Sequence, residues 1–128
     1  MIITRDEVLN YLSEVKEAIK ANRYRIEMNR NRQRNIDLFT DYVIDEAGAK
    51  KILLDLEVDD FSEVTQNNKK GWEHEQLYIF GKDVSLAERF GDAVKTVSLY
   101  IKFNKIENSY VIVISFHEQM YPLSYYFR

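Results

Sequence analysis

Residues 94–118 read VKTVSLYIKFNKIENSYVIVISFHE, two strand-like runs that meet at a polar turn. No other segment constrains the fold as strongly. In the first run Val97, Leu99, Ile101 and Phe103 share one face, and Thr96, Ser98, Tyr100 and Lys102 share the other. In the second, Tyr110, Ile112, Ile114 and Phe116 alternate with Val111, Val113, Ser115 and His117. Side chains two apart lie on one side of a strand. If the heavily apolar faces of both runs meet the core, Tyr100, Lys102 and His117 stand together on the opposite face. A phenol, an ammonium and an imidazole on one sheet surface are suited to phosphate chemistry.

The rest of the chain supplies helices to cover that sheet. Thr4-Arg5-Asp6-Glu7 is a capping box, in which the Thr4 hydroxyl accepts from the Glu7 amide. Val8, Tyr11, Leu12, Val15, Ala18 and Ile19 follow at helical spacing, and Asn22 is the expected stop. Tyr24, Ile26 and Met28 alternate with Arg23, Arg25 and Glu27, which predicts a short strand. Residues 29–35, NRNRQRN, read as a polar connector, and Ile36 to Val43 as a short helix. Asp45 caps a further helix with Ala49, Ile52, Leu53 and Leu56 inward. Asp59 and Asp60 begin a turn that buries Phe61 and Val64. Residues 65–74 and Ser85 to Asp92 read as loops, around a buried strand at Leu77-Tyr78-Ile79-Phe80. The last ten residues, QMYPLSYYFR, form an aromatic tail. The expected architecture is α+β, one domain over residues 1–128. Two or three helices pack on one face of a mainly antiparallel sheet of about four strands.

Composition narrows the function classes. The chain contains no cysteine, which removes disulfides, thiolate metal sites and thiol catalysis. Its two histidines, His74 and His117, lie far apart in sequence without a third, so no metal site and no cofactor are expected. No apolar run reaches the roughly 20 residues that span a bilayer, so no membrane partner is expected. Residues 1–20 lack a signal peptide's basic start and apolar run, which makes cytoplasm the expected location. The net charge is −3, yet Arg23, Arg25, Arg30, Arg32 and Arg34 crowd into a dozen residues. An acidic chain can still present one basic face.

Were the phosphate that of RNA, as the family resemblance carried by residues 99–118 implies, cleavage without a metal would need a base for the 2′-hydroxyl, a cation for the phosphorane and an acid for the leaving 5′-oxygen. His117 has the side chain whose ordinary pKa suits the base or the acid. Lys102 can neutralise developing phosphate charge. Tyr100 can donate to a phosphate oxygen or stack on a base. Glu118 can orient His117 or act as base. Arg30, Arg32 and Arg34 are the candidate RNA-binding residues, and Arg32 and Arg34 precede an apolar helix start where a phosphate can sit. Each has a plain alternative: a satisfied strand-end histidine, a half-buried tyrosine, a solubilising lysine, a solvated arginine rim.

The hairpin also carries a resemblance. Leu99-Tyr100-Ile101-Lys102-Phe103, the short turn, and Val111-Ile112-Val113-Ile114-Ser115-Phe116-His117-Glu118 resemble the C-terminal hairpin of MqsR-type toxins. Leu56-Glu57-Val58-Asp59-Asp60-Phe61 is similar to that family's step from a helix into an Asp-Phe turn. The likeness implies a RelE-like α+β fold, an mRNA-cleaving endoribonuclease of a toxin–antitoxin pair, RNA as substrate and a cognate antitoxin as partner. The family uses two lysines, a glutamine and a tyrosine. Tyr100 matches the tyrosine, and His117 stands where the second lysine would. The first lysine falls near Glu63, and the glutamine aligns with Gln76 only after a shift. The residues themselves also admit a non-catalytic binding or inhibitor protein, with the aromatic tail as its adhesive surface. They admit equally a domain that binds RNA without cutting it.

Overall fold

The computed structural model describes residues 2–128. Among these residues the chain forms α1 (Arg5–Lys20), β1 (Tyr24–Ile26), α2 (Gln33–Asp41), α3 (Glu46–Leu54), β2 (Phe61–Gln66), β3 (Gln76–Ala87), β4 (Val94–Ile106) and β5 (Tyr110–Glu118). The strands make one sheet in the order β1-β5-β4-β3-β2. From β2 to β5 it is an antiparallel meander, and β1 joins the far edge parallel to β5. The fold is α+β, with five strands rather than about four.

The extra strand is β2, which takes in the turn expected after Asp60 and the first residues of the expected 65–74 loop. Its alternation is broken by a register shift between Phe61 and Glu63. The shift brings Phe61 and Val64, three apart in sequence, to the core face, where Phe61 is buried and Val64 half-buried. β3 likewise continues past Gly81 to Ala87, through the start of the expected 85–92 loop.

The helices follow their capping and spacing. The Thr4 hydroxyl accepts from the Glu7 amide at 3.1 Å, and all six residues of the α1 stripe are buried. Asn22, at φ 60°, turns the chain out of the helix. Asp45 accepts from the Gly48 amide at 2.7 Å and starts α3, which buries Ala49 and Leu53. Leu12 is 2% exposed, so Leu12→Ala is expected to cost about 2–5 kcal/mol. Urea unfolding checks this, and a loss below about 1 kcal/mol would place the stripe outside the core.

The β4–β5 pairing departs from simple alternation. Lys102 pairs with Ser115 and Phe103 with Val113, which leaves Ile114 as an extra residue in β5. A bulge of this kind reverses the facing of every side chain beyond it. Before the bulge, Val111 and Val113 enter the core with Phe103, while Ile112 pairs with Asn104 on the other face. Past it, Phe116 enters the core and Ser115 and His117 turn to the opposite face. The expectation that one unbroken face of β5 packs inward is thus corrected, although Tyr100, Lys102 and His117 still share a face.

Asn35 fixes the bulge. It is 1% exposed. Its Nδ2 donates to the Ile114 carbonyl at 2.9 Å and the Glu27 carbonyl at 2.8 Å, and its Oδ1 accepts from the Phe116 amide at 2.9 Å. One side-chain amide thereby satisfies β5 backbone beyond the end of β1, where no strand does so. It also ties α2 to the sheet. α2 begins at Gln33, within the expected connector, and Leu38 and Phe39 carry it into the core, Phe39 stacking on Phe116 at 5.8 Å.

The tail crosses the face of the sheet that carries Tyr100. A Cβ at Gly81 would collide with the Tyr125 hydroxyl and lie 2.8 Å from Leu123 Cδ1, so glycine admits the tail here. Gln119 Nε2 donates to the Leu99 carbonyl at 2.9 Å, Ser62 donates to the Ser124 carbonyl at 2.6 Å, and the Tyr126 amide donates to the Phe61 carbonyl at 3.0 Å. Arg128 then pairs with the buried Asp60 at 3.1 Å. Most of the expected adhesive tail is therefore bound to its own sheet. Tyr121 and Met120 remain exposed. Among the described residues, no helix is long and apolar enough to cross a membrane.

Candidate functional site

Register builds the site row by row. Gly81, Tyr100 and His117 lie abreast on β3, β4 and β5, and Ile79, Lys102 and Ser115 form the next row. Glu63 of β2 pairs with Ile79 and extends that second row to the sheet edge. The Tyr100 and His117 rings stack at 5.2 Å and 12°, and Lys102 Nζ lies 5.8 Å from the Tyr100 ring centre. The β1–α2 connector rises on one side and the tail on the other. Between them is a cleft of about 560 Å³. Arg32, Arg34, Tyr100, Lys102, His117 and Tyr121 line it, with Asn35 and Ser115 among its other walls.

The structure brings together Tyr100, Lys102, His117, Arg32 and Arg34. Arg30 lies exposed in the preceding turn and does not line the cleft. The Glu118 carboxylate also stays out, since Glu118 Oε1 accepts from the Tyr42 hydroxyl at 3.4 Å. Glu118 nonetheless orients the histidine by its backbone, because its carbonyl lies 2.8 Å from His117 Nδ1. A carbonyl only accepts, so Nδ1 carries the proton and the neutral ring keeps its lone pair on Nε2.

The environment tunes all three sheet residues. Burial holds His117 below its usual imidazole value; Arg34, Lys102 and Arg32 push the same way, and the Glu118 carbonyl opposes them. Together they favour the neutral ring. Burial also lowers Lys102, helped by Arg32 and opposed by Glu63. A lysine lowered in this way releases its proton more readily. Tyr100 is raised by burial and then by Glu63, so it stays a phenol and a donor. Glu63 thus sits in the electrostatic field of the site, where the family resemblance would have put a lysine.

Sequence reading missed four contributors. Asn35 looked like part of a polar connector, and Ser115 like one more alternating residue. Met120 and Tyr121 wall the cleft from a tail that the strand pattern did not connect to it. Gln76, the shifted match to the family glutamine, begins β3 and lines a broader groove beyond Lys102. Among the described residues, no group of three or more His, Asp or Glu is placed to hold a metal ion. Comparison with family models, curated proteins and solved structures finds no match to the chain.

Proposed function

We propose that the chain is a toxin-type endoribonuclease that cleaves mRNA by attack of the neighbouring 2′-hydroxyl. The observation that carries this reading is His117, its Nδ1 against the Glu118 carbonyl and Nε2 left as the accepting nitrogen, in one cleft with Lys102, Arg32 and Arg34. Nε2 takes the 2′-hydroxyl proton as the 2′-oxygen attacks phosphorus. Arg32 and Arg34 neutralise the charge that develops on the phosphorane oxygens. Lys102 gives its proton to the 5′-oxygen as the P–O5′ bond breaks. The products are a 2′,3′-cyclic phosphate and a 5′-hydroxyl. Tyr100 holds the imidazole by stacking and donates its hydroxyl to a phosphate oxygen.

The resemblance of β4 and β5 to MqsR-type toxins supports the same reading. It adds the cytoplasm as the place of action and a cognate antitoxin that restrains the activity. Expression of the chain in bacteria tests it. The expected result is growth arrest with shortened transcripts, both relieved by His117→Ala at equal protein level. Normal growth with intact transcripts, at verified expression, would contradict it.

A further inference from the structure

The cleft is one end of a longer depression. Arg32, Tyr100 and Lys102 line both the cleft and a groove of about 1590 Å³ that continues over the open face of the sheet. Small-molecule sites run to about 300–1,000 Å³, so the cleft has the size for one nucleotide-like group and the groove has the size for a chain. Its direction is set by β4. From Tyr100 through Lys102 to Asn104 the strand advances about 13 Å, and the groove then reaches the β2–β3 loop.

That loop is built rather than loose. The Asn67 amide donates to the Glu75 carbonyl at 3.0 Å. Glu75 Oε1 also gathers Asn67 Nδ2 and Asn104 Nδ2, each at 3.0 Å, which ties the loop to the sheet. A turn at Gly71, φ 93°, then presents Trp72, which is 50% exposed and has its ring 6.1 Å from the His74 ring. Both rings line the groove. Gln66, Asn67, Gln76 and Asn104 line it too, and amides can both donate to and accept from base edges. Asn104 is 6% exposed, and among the described residues its Oδ1 has no hydrogen-bond partner. Exposed aromatics beside a polar, cation-ended channel are the equipment of single-strand binding.

We infer that this groove is the track for single-stranded RNA flanking the cleaved bond, with Trp72 as the platform on which a base stacks several residues' length from His117. The inference rests on the ribonuclease reading and names the substrate's form. Duplex RNA does not suit it, because paired bases cannot reach the indole.

The chain has one tryptophan, so its fluorescence reports Trp72 alone. The probe is a dye-labelled 2′-O-methyl oligonucleotide of about ten nucleotides, which cannot be cut by 2′-hydroxyl attack. Anisotropy of the dye measures binding while indole quenching measures stacking. The expected result is quenching that saturates together with anisotropy. Trp72→Ala should weaken binding about 5- to 150-fold, Trp72→Phe should restore most of it, and a dinucleotide should bind the wild type and Trp72→Ala alike. Binding by anisotropy without quenching, and with equal affinity in Trp72→Ala, would overturn the track while leaving the ribonuclease reading in place. Absence of any RNA binding by wild type would overturn both.

Discussion

His117→Ala is expected to slow RNA cleavage by about 10²–10⁴-fold, the usual scale for losing a general acid–base. Alanine should fit the site without unfolding it, because His117 lies half-buried at the end of β5 and, among the described residues, its ring bonds only to the neighbouring carbonyl. Single-turnover rates on a fluorescent single-stranded RNA measure the loss. RNA affinity should persist if, as proposed, Arg32, Arg34 and Lys102, which line the cleft, supply the phosphate attraction. The pH profile separates a base from a structural residue. The proposed mechanism needs the neutral ring, and burial holds the histidine pKa below its ordinary value. Wild-type rate should therefore hold near neutral pH and fall as pH drops through that lowered pKa. The acidic limb should vanish in His117→Ala. An unchanged rate in the variant, or an acidic limb that survives, would remove His117 from the chemistry.

The second large effect is expected at Asn35. Removing its amide in Asn35→Ala leaves the Phe116 amide without its acceptor and two carbonyls without their donor. An orphaned buried donor costs about 1–3 kcal/mol, and each lost bond about 0.5–1.5. A total of about 2–6 kcal/mol is the expected loss in urea unfolding. The variant should also cleave RNA more slowly under conditions where it remains folded. Its α2 anchor is gone, and Arg32 and Arg34 at the start of that helix lose their fixed place beside His117. A loss below about 1 kcal/mol with full activity would mean the amide holds neither the bulge nor the arginines.

The parts of the fold legible in sequence were those with one clear period. The α1 stripe and the Thr4 and Asp45 caps placed two helices, and the alternation of Val97 to Phe103 placed β4. β5 defeated the same reasoning because both of its faces are apolar. Val111 and Val113 suit the core as well as Ile112 and Ile114 do, so alternation alone cannot find the bulge at Ile114. Tyr100, Lys102 and His117 were placed on one face from a premise that holds for β4 and fails for half of β5. β2 was hidden by its own register shift, which puts Phe61 and Val64 out of step. Gly81 read as a strand end, yet it is a mid-strand residue whose missing Cβ lets the tail cross. Asn35 carries no sequence signal of its role, because its three partners lie 8, 79 and 81 residues away.

The chemistry of the cut ends tests the central claim most directly. A purified chain incubated with a defined single-stranded RNA in excess chelator should leave a 2′,3′-cyclic phosphate on the upstream fragment and a 5′-hydroxyl on the downstream one. The same RNA carrying one 2′-O-methyl group at the cut position should stay whole there. Cleavage at the methylated position, or 5′-phosphate ends that form only when magnesium is restored, would contradict 2′-hydroxyl attack driven by His117.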